Sequence, residues 1–215
     1  MSRSTLRVAS LVVAAAAMVA VATPAHAFRM IQNTSVGRFS AGFAVTCSNS
    51  VGFVHWNTRS INWWHNTANQ GSGKGTALSA AMSAWTGVSS ANHVLSYAGT
   101  TSAGWSTDGR NTILWASGNG CTGNCLALTA LVLQSGQVLV ESDITFNNSV
   151  SWTTSGSQFD TQAVAAHELG HALGIHHTNL TSTPRPTMYA SYFGSGGRSL
   201  ESDDRAALQC AESRY

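Results

Sequence analysis

Residues 167–177 read His167, Glu168, Leu169, Gly170, His171, Ala172, Leu173, Gly174, Ile175, His176, His177, and each fixed position in the run has its own physical reason. On a helix, residues four apart stand one above the other about 6 Å along the axis, so two imidazoles at that spacing reach one ion. His167 and His171 meet that condition. Glu168 lies one helical step from the first of them, near enough to take a proton from a water at the metal without ligating it. Gly174 follows His171 by three residues, where a helix can end in the left-handed conformation that glycine adopts at little cost. The resulting turn carries His177 back from outside the helix. Three nitrogen donors with a fourth position left for water are the pattern of a catalytic zinc site, where structural sites are closed.

With 8 His and 20 Gly in 215 residues, these five fixed positions recur by chance on the order of once in 10⁵ sequences, so coincidence is a poor account of them. His176 sits one residue before the third donor and off its register, which favours a bystander or a supporting role behind the ligands over coordination. His55, His65 and His93 have no spacing partners and read as non-ligands.

Working outward, a helical pattern begins at Asp160 and stops at Gly174. A loop with Pro184 and Pro186 follows, then a short helix after Ser202. Upstream, strands are expected at Ile61–Trp64, Val94–Tyr97, Thr112–Ala116, Leu126–Leu133 and Ile144–Phe146, separated by Gly and Asn turns. Thr76–Trp85 reads as a helix with Leu78, Ala81, Met82 and Trp85 on one side and Thr76 as its N-cap. Residues 28–55 read as an irregular or weakly stranded lead-in. Strands first and helices late make an α+β layout.

At 215 residues with 43% hydrophobic composition, the chain holds one ordinary domain with a substantial core. Arg3 and Arg7, the apolar run Val8–Val21 and the sequence Ala25, His26, Ala27 have the layout of a secretory signal peptide over residues 1–27. Without Arg3 and Arg7, the 11 Lys and Arg fall to 9, matching the 9 Asp and Glu. A neutral chain lacking a basic cluster argues against nucleic acid and membrane surfaces as partners. A secreted, extracellular monomer is expected. Four cysteines in an oxidising compartment favour two disulfides. Of the three pairings, Cys121 with Cys125 and Cys47 with Cys210 are preferred, though spacing alone does not decide between them.

The run HExxHxxGxxH, with Pro186, Thr187, Met188, Tyr189 downstream as a Met turn, resembles the metzincin metallopeptidases. Thr178 after the third histidine is closer to the Ser of matrixins than to the residues of other branches. Asp143, Ile144, Thr145, Phe146 with Trp152 and Thr153, and Leu200, Asp203, Asp204, Leu208, Gln209, agree with the matrixin pattern. The resemblance implies a matrixin-like catalytic domain over residues 56–215. Its fold would be a twisted, mainly parallel sheet with an antiparallel edge strand, a long active-site helix and a C-terminal helix.

It also implies a zinc endopeptidase acting on protein or peptide substrates. His167, His171 and His177 would be the ligands of one catalytic Zn2+, Glu168 the base and then acid, Met188 would lie beneath the metal, and Tyr189 would line the pocket after the scissile bond. A peptide would lie extended along an edge strand, for which Leu126–Leu133 is the candidate. Asp203 and Asp204 have a structural role, stabilising a helix N-terminus. Three departures matter. Thr145 stands where vertebrate-type relatives place a histidine of a second zinc, so one zinc is expected. Asn147 and Val150 stand where a calcium site has acidic residues, which argues against Ca2+ there. No propeptide cysteine motif surrounds Cys47. A catalytically inactive zinc-binding module with the same fold is the alternative.

Overall fold

The computed structural model describes residues 28–34, 38–44, 53–89, 91–118, 121, 123–134 and 137–212, with backbone alone for 32–34 and 38–44. Residues 1–27, Cys47 and its expected bond to Cys210 lie outside the described residues. In chain order the elements are β1 (Arg29–Thr34), β2 (Arg38–Ala44), β3 (His55–Trp56), β4 (Ser60–Asn66), α1 (Gly75–Thr86), β5 (Val94–Thr101) and β6 (Asn111–Ala116). There follow β7 (Ala127–Leu133), β8 (Val138–Asn147), β9 (Trp152–Thr153), β10 (Phe159–Asp160), α2 (Thr161–Ala172), β11 (Ile175–His176) and α3 (Ser202–Glu212).

The main sheet runs β3-β8-β6-β4-β5 with every pair parallel, and β7 joins β8 antiparallel at the edge. Parallel strands must be covered on both faces, so they read as apolar runs. In β6, Thr112, Ile113, Leu114 and Trp115 are all buried. In β8, everything from Glu141 to Asn147 is buried, polar residues included. Glu141 and Asp143 are satisfied by backbone N–H groups of β6 and of the segment before it. Asp143 accepts from Thr112 N at 2.8 Å and Ser106 N at 3.2 Å, and Glu141 accepts from Asp108 N at 3.2 Å and Gly109 N at 2.5 Å.

Beneath the sheet, α1 packs on α2 and β5, and α2 also meets β7. Two indoles stitch α2 in place: Trp85 Nε1 donates to Ala166 O at 2.8 Å and Trp56 Nε1 to Ala172 O at 2.7 Å. Asp160 caps α2, its Oδ1 accepting from Ala163 N at 2.9 Å, as an N-cap acid should. Arg198 holds the same carboxylate with a two-pronged ion pair, tying the segment Gly194–Arg198 to the start of α2.

One expectation is corrected. The helix α1 starts at Gly75, so Thr76 lies inside it; the cap position belongs to Lys74, which makes no side-chain cap bond and spends its Nζ on Trp152 O at 2.9 Å. Within the lead-in, β1 and β2 form an antiparallel hairpin, and β1 also pairs with β11. That pairing exists because the chain reverses after α2, so it depends on tertiary structure more than on local sequence.

Candidate metal centre

The second half of α2 presents His167 and His171 on one face, and the chain then reverses at Gly174, whose φ is +86°. Gly174 N donates to His171 O at 2.9 Å, closing the helix. A Cβ on Gly174 would fall 2.6 Å from Val54 O, so both conformation and space demand glycine there. Past the turn, β11 leads into His177. The three histidines form, among the described residues, the one group of three or more His, Cys, Asp or Glu side chains placed to hold a metal ion.

His167 Nδ1 lies 2.7 Å from Thr187 O and His171 Nδ1 lies 2.8 Å from Ile175 O. A carbonyl only accepts, so both Nδ1 atoms carry protons and both Nε2 atoms of the neutral rings are bare lone pairs. His177 Nε2 is 3.1 Å from each of those two nitrogens. A proton on His177 Nε2 would serve one of these contacts and leave the other lone pair without a partner, and a bare Nε2 would set lone pair against lone pair at both. A cation in their midst removes that repulsion. Three nitrogens of a tetrahedral zinc site at ~2.0–2.1 Å from the metal stand roughly 3.3 Å apart, close to the spacing seen. The donor chemistry therefore fits zinc.

Electrostatics push the same way. Burial, then the charges of His167 and His177, hold His171 well below the usual imidazole range. Burial followed by His167, His176 and Arg29 brings His177 down to about 4. Neutral imidazole is the ligating form, so the site favours metal over protons. His176 has its own lowered value, from burial first, and its ring packs 5.2 Å from that of His177 without joining the donor group. Elsewhere His93 pairs with Glu212 at 2.9 Å, His65 contacts Tyr97 Oη at 3.2 Å, and His55 contacts Phe53 O at 3.1 Å.

Met188 is buried beside α2, and the fit is made by Gly170, where a Cβ would fall 2.3 Å from Met188 Sδ and 2.8 Å from Trp85 Cζ2. Asp204 braces that turn. Its carboxylate accepts from Thr187 N at 2.8 Å, Met188 N at 3.0 Å and Glu201 N at 2.8 Å. The helix-terminus role expected of Asp204 is thus only part of what it does, since the same carboxylate ties the Met turn to α3. Nothing in the sequence spacing marks that bond.

Glu168 is buried, and its pKa is raised by that burial, against the opposing pull of His167 and of a hydrogen bond from Thr129. It lines a cleft of about 640 Å³ together with His167, His177, Val164, Leu126 and Tyr189. Cys121 and Cys125 are disulfide-bonded, and Cys125 with Gly123 and Asn124 forms part of the cleft rim. Asn147 anchors that rim, donating from Nδ2 to Cys125 O at 2.9 Å and from its backbone N to Leu126 O at 2.8 Å. Cys210 is buried in α3. Thr129 escaped the sequence reading, although a lone hydroxyl in the apolar strand Ala-Leu-Thr-Ala-Leu-Val-Leu was the available signal.

The sequence is 43% identical over 63 residues to karilysin of Tannerella forsythia, covering 29% of this chain and 12% of that protein. It is 34% identical over 67 residues to interstitial collagenase of Equus caballus, covering 31% of this chain and 14% of that one. The chain therefore matches only a small part of the length of either relative. The broader match is to the matrixin peptidases, over residues 55–211, which takes in the parallel sheet, the three-histidine turn, the Met turn and most of α3. A match over most of its length places this chain in the matrixin family.

Proposed function

We propose that the chain is a zinc-dependent endopeptidase that hydrolyses extended peptide substrates outside the cell, with Glu168 as general base. The observation that carries this reading is the convergence of three imidazole Nε2 atoms, two with their Nδ1 protons committed to carbonyls, beside a buried carboxylate in an open cleft. His167, His171 and His177 would hold the ion. Zinc, when bound, supplies Lewis-acid polarisation of the scissile carbonyl and makes water a nucleophile near neutral pH.

The chain's own residues do the rest. The β7 edge, paired to β8 on one side only among the described residues, offers backbone N–H and C=O groups to an extended peptide. Leu126, Val164, Tyr189 and Phe193 give the neighbouring pocket an apolar lining that selects side chains. Glu168 accepts the proton of the attacking water and passes it to the departing amine, one carboxylate serving as base and then acid. Burial keeps that carboxylate out of bulk water. The Cys121–Cys125 bond accords with an oxidising, extracellular setting. A zinc-binding module without turnover is not favoured, because Glu168 and the cleft are both in place.

The test is to strip the purified protein with a chelator, restore one equivalent of zinc, and assay casein and a peptide library alongside Glu168→Gln. Cleavage should follow zinc and fall at least ~10³-fold in the variant, with zinc retained. A zinc-loaded wild type that cleaves nothing refutes the enzyme reading.

A further inference from the structure

The edge strand β7 carries a polar side chain that reaches the base. Thr129 Oγ1 donates to Glu168 Oε2 at 2.6 Å and also lies 3.1 Å from Glu168 O. Its neighbour Leu128 points the other way and is 37% exposed, as the two-residue alternation of a strand requires. The hydroxyl is held by two constraints. Thr129 is β-branched, so its χ1 is stiff. Its backbone sits in a continuous antiparallel register with β8, opposite Ile144. Glu168 Oε1, by contrast, receives no hydrogen bond from the described residues.

The geometry points to Thr129 as a positioning residue: it locks one carboxylate oxygen of Glu168 and leaves the other for the reacting water, coupling the peptide-holding edge strand to the base. The inference rests on the endopeptidase reading above and deepens it. A glutamate turns about three side-chain bonds, and the last of them sets where its two carboxylate oxygens point. A hydrogen bond of 2.6 Å to a charged acceptor fixes the last of them and belongs to the stronger class. Because Thr129 lies on the strand proposed to pair with substrate, a peptide seated on β7 finds the base already aimed.

The test compares Thr129→Val, which keeps the shape and removes the hydroxyl, with Thr129→Ser, which keeps the hydroxyl. In zinc-loaded enzyme, Thr129→Val should lower kcat roughly tenfold or more, leaving KM within about twofold of wild type and zinc content unchanged. Thr129→Ser should restore most of kcat, which a purely packing role for the methyl group would not allow. A second readout is independent of activity. Crystal structures of the metal-free proteins should show Glu168 in one carboxylate orientation in wild type and Thr129→Ser, and rotated or split in Thr129→Val. Wild-type kcat in Thr129→Val, or an unmoved Glu168 carboxylate in its crystals, overturns the inference. Should zinc-loaded wild type cleave no peptide, the endopeptidase reading falls, while the carboxylate comparison still decides whether Thr129 sets Glu168.

Discussion

Replacing Gly174 with alanine should unsettle the metal centre from the outside. Two costs add. The residue sits at φ +86°, and a left-handed conformation costs a non-glycine residue about 1–2 kcal/mol. The new Cβ also meets Val54 O at 2.6 Å, where ordinary contact begins near 3.4 Å. That oxygen cannot easily retreat, because Val54 N donates to Ile31 O at 3.0 Å and Ile31 N donates to Gly174 O at 2.8 Å, which closes the backbone around the site. Forcing a methyl into a packed site typically adds ~1–3 kcal/mol. A total near 3 kcal/mol lowers Tm by roughly 6–12 °C for a chain of this size. The assay is a thermal melt of metal-free protein with chelator present, followed by zinc titration, because a shifted turn also displaces His177. Gly174→Asn is the control: asparagine tolerates the left-handed conformation, yet its Cβ meets the same oxygen, so it should recover only part of the loss. A Gly174→Ala protein that melts within about 2 °C of wild type and binds zinc as tightly would refute this reasoning.

Acid should weaken the metal-free protein through its histidines. His171 and His177 have folded values below the unfolded 6.5, so the folded state binds fewer protons; their contribution is complete above pH 6.5 and is lost as pH falls through the folded values, about 4 for His177. Asp143 acts oppositely. Burial, with the charges of Glu141 and Asp108, pushes it up to about 6, so its contribution is complete below 3.8 and lost as pH rises through about 6. Melts between pH 4 and 8 should show the histidine loss, and changing both His171 and His177 to Gln should flatten it; an unchanged slope would count against the assignment. Asp204→Ala removes the acceptor of three backbone N–H groups, and should cost about 3–5 kcal/mol in denaturant unfolding and loosen zinc binding. A loss under ~1 kcal/mol would show that the Met turn does not depend on it.

How much of this was legible depended on whether the cause was local. The helix α2 announced itself through a helical pattern from Asp160, a four-residue histidine spacing and a terminal glycine, all features of one short stretch. The strand β8 was read from Ile144, yet it runs from Val138 because Glu141, Ser142 and Asp143 are buried polar residues whose partners come from other segments. Those partners lie some thirty residues upstream, beyond any window of periodicity. Likewise β1 owes part of its pairing to β11, which exists only after the Gly174 reversal. At the site, ligand spacing exposed the donors, whereas Thr129 and Asp204 act across the fold and left only weak marks. The start of α1 was displaced because Gly75 extends the helix and Lys74 is held by a distant carbonyl, neither of which a capping rule weighs.

The central claim is that His167, His171 and His177 hold a single zinc with a position left open, and X-ray absorption at the zinc edge on reconstituted protein tests it most directly. One zinc per chain is expected, with three imidazole nitrogens and one oxygen at about 2.0–2.1 Å, and with loss of tight binding in His171→Ala. A sulfur scatterer near 2.3 Å, or unchanged zinc binding in His171→Ala, would contradict it.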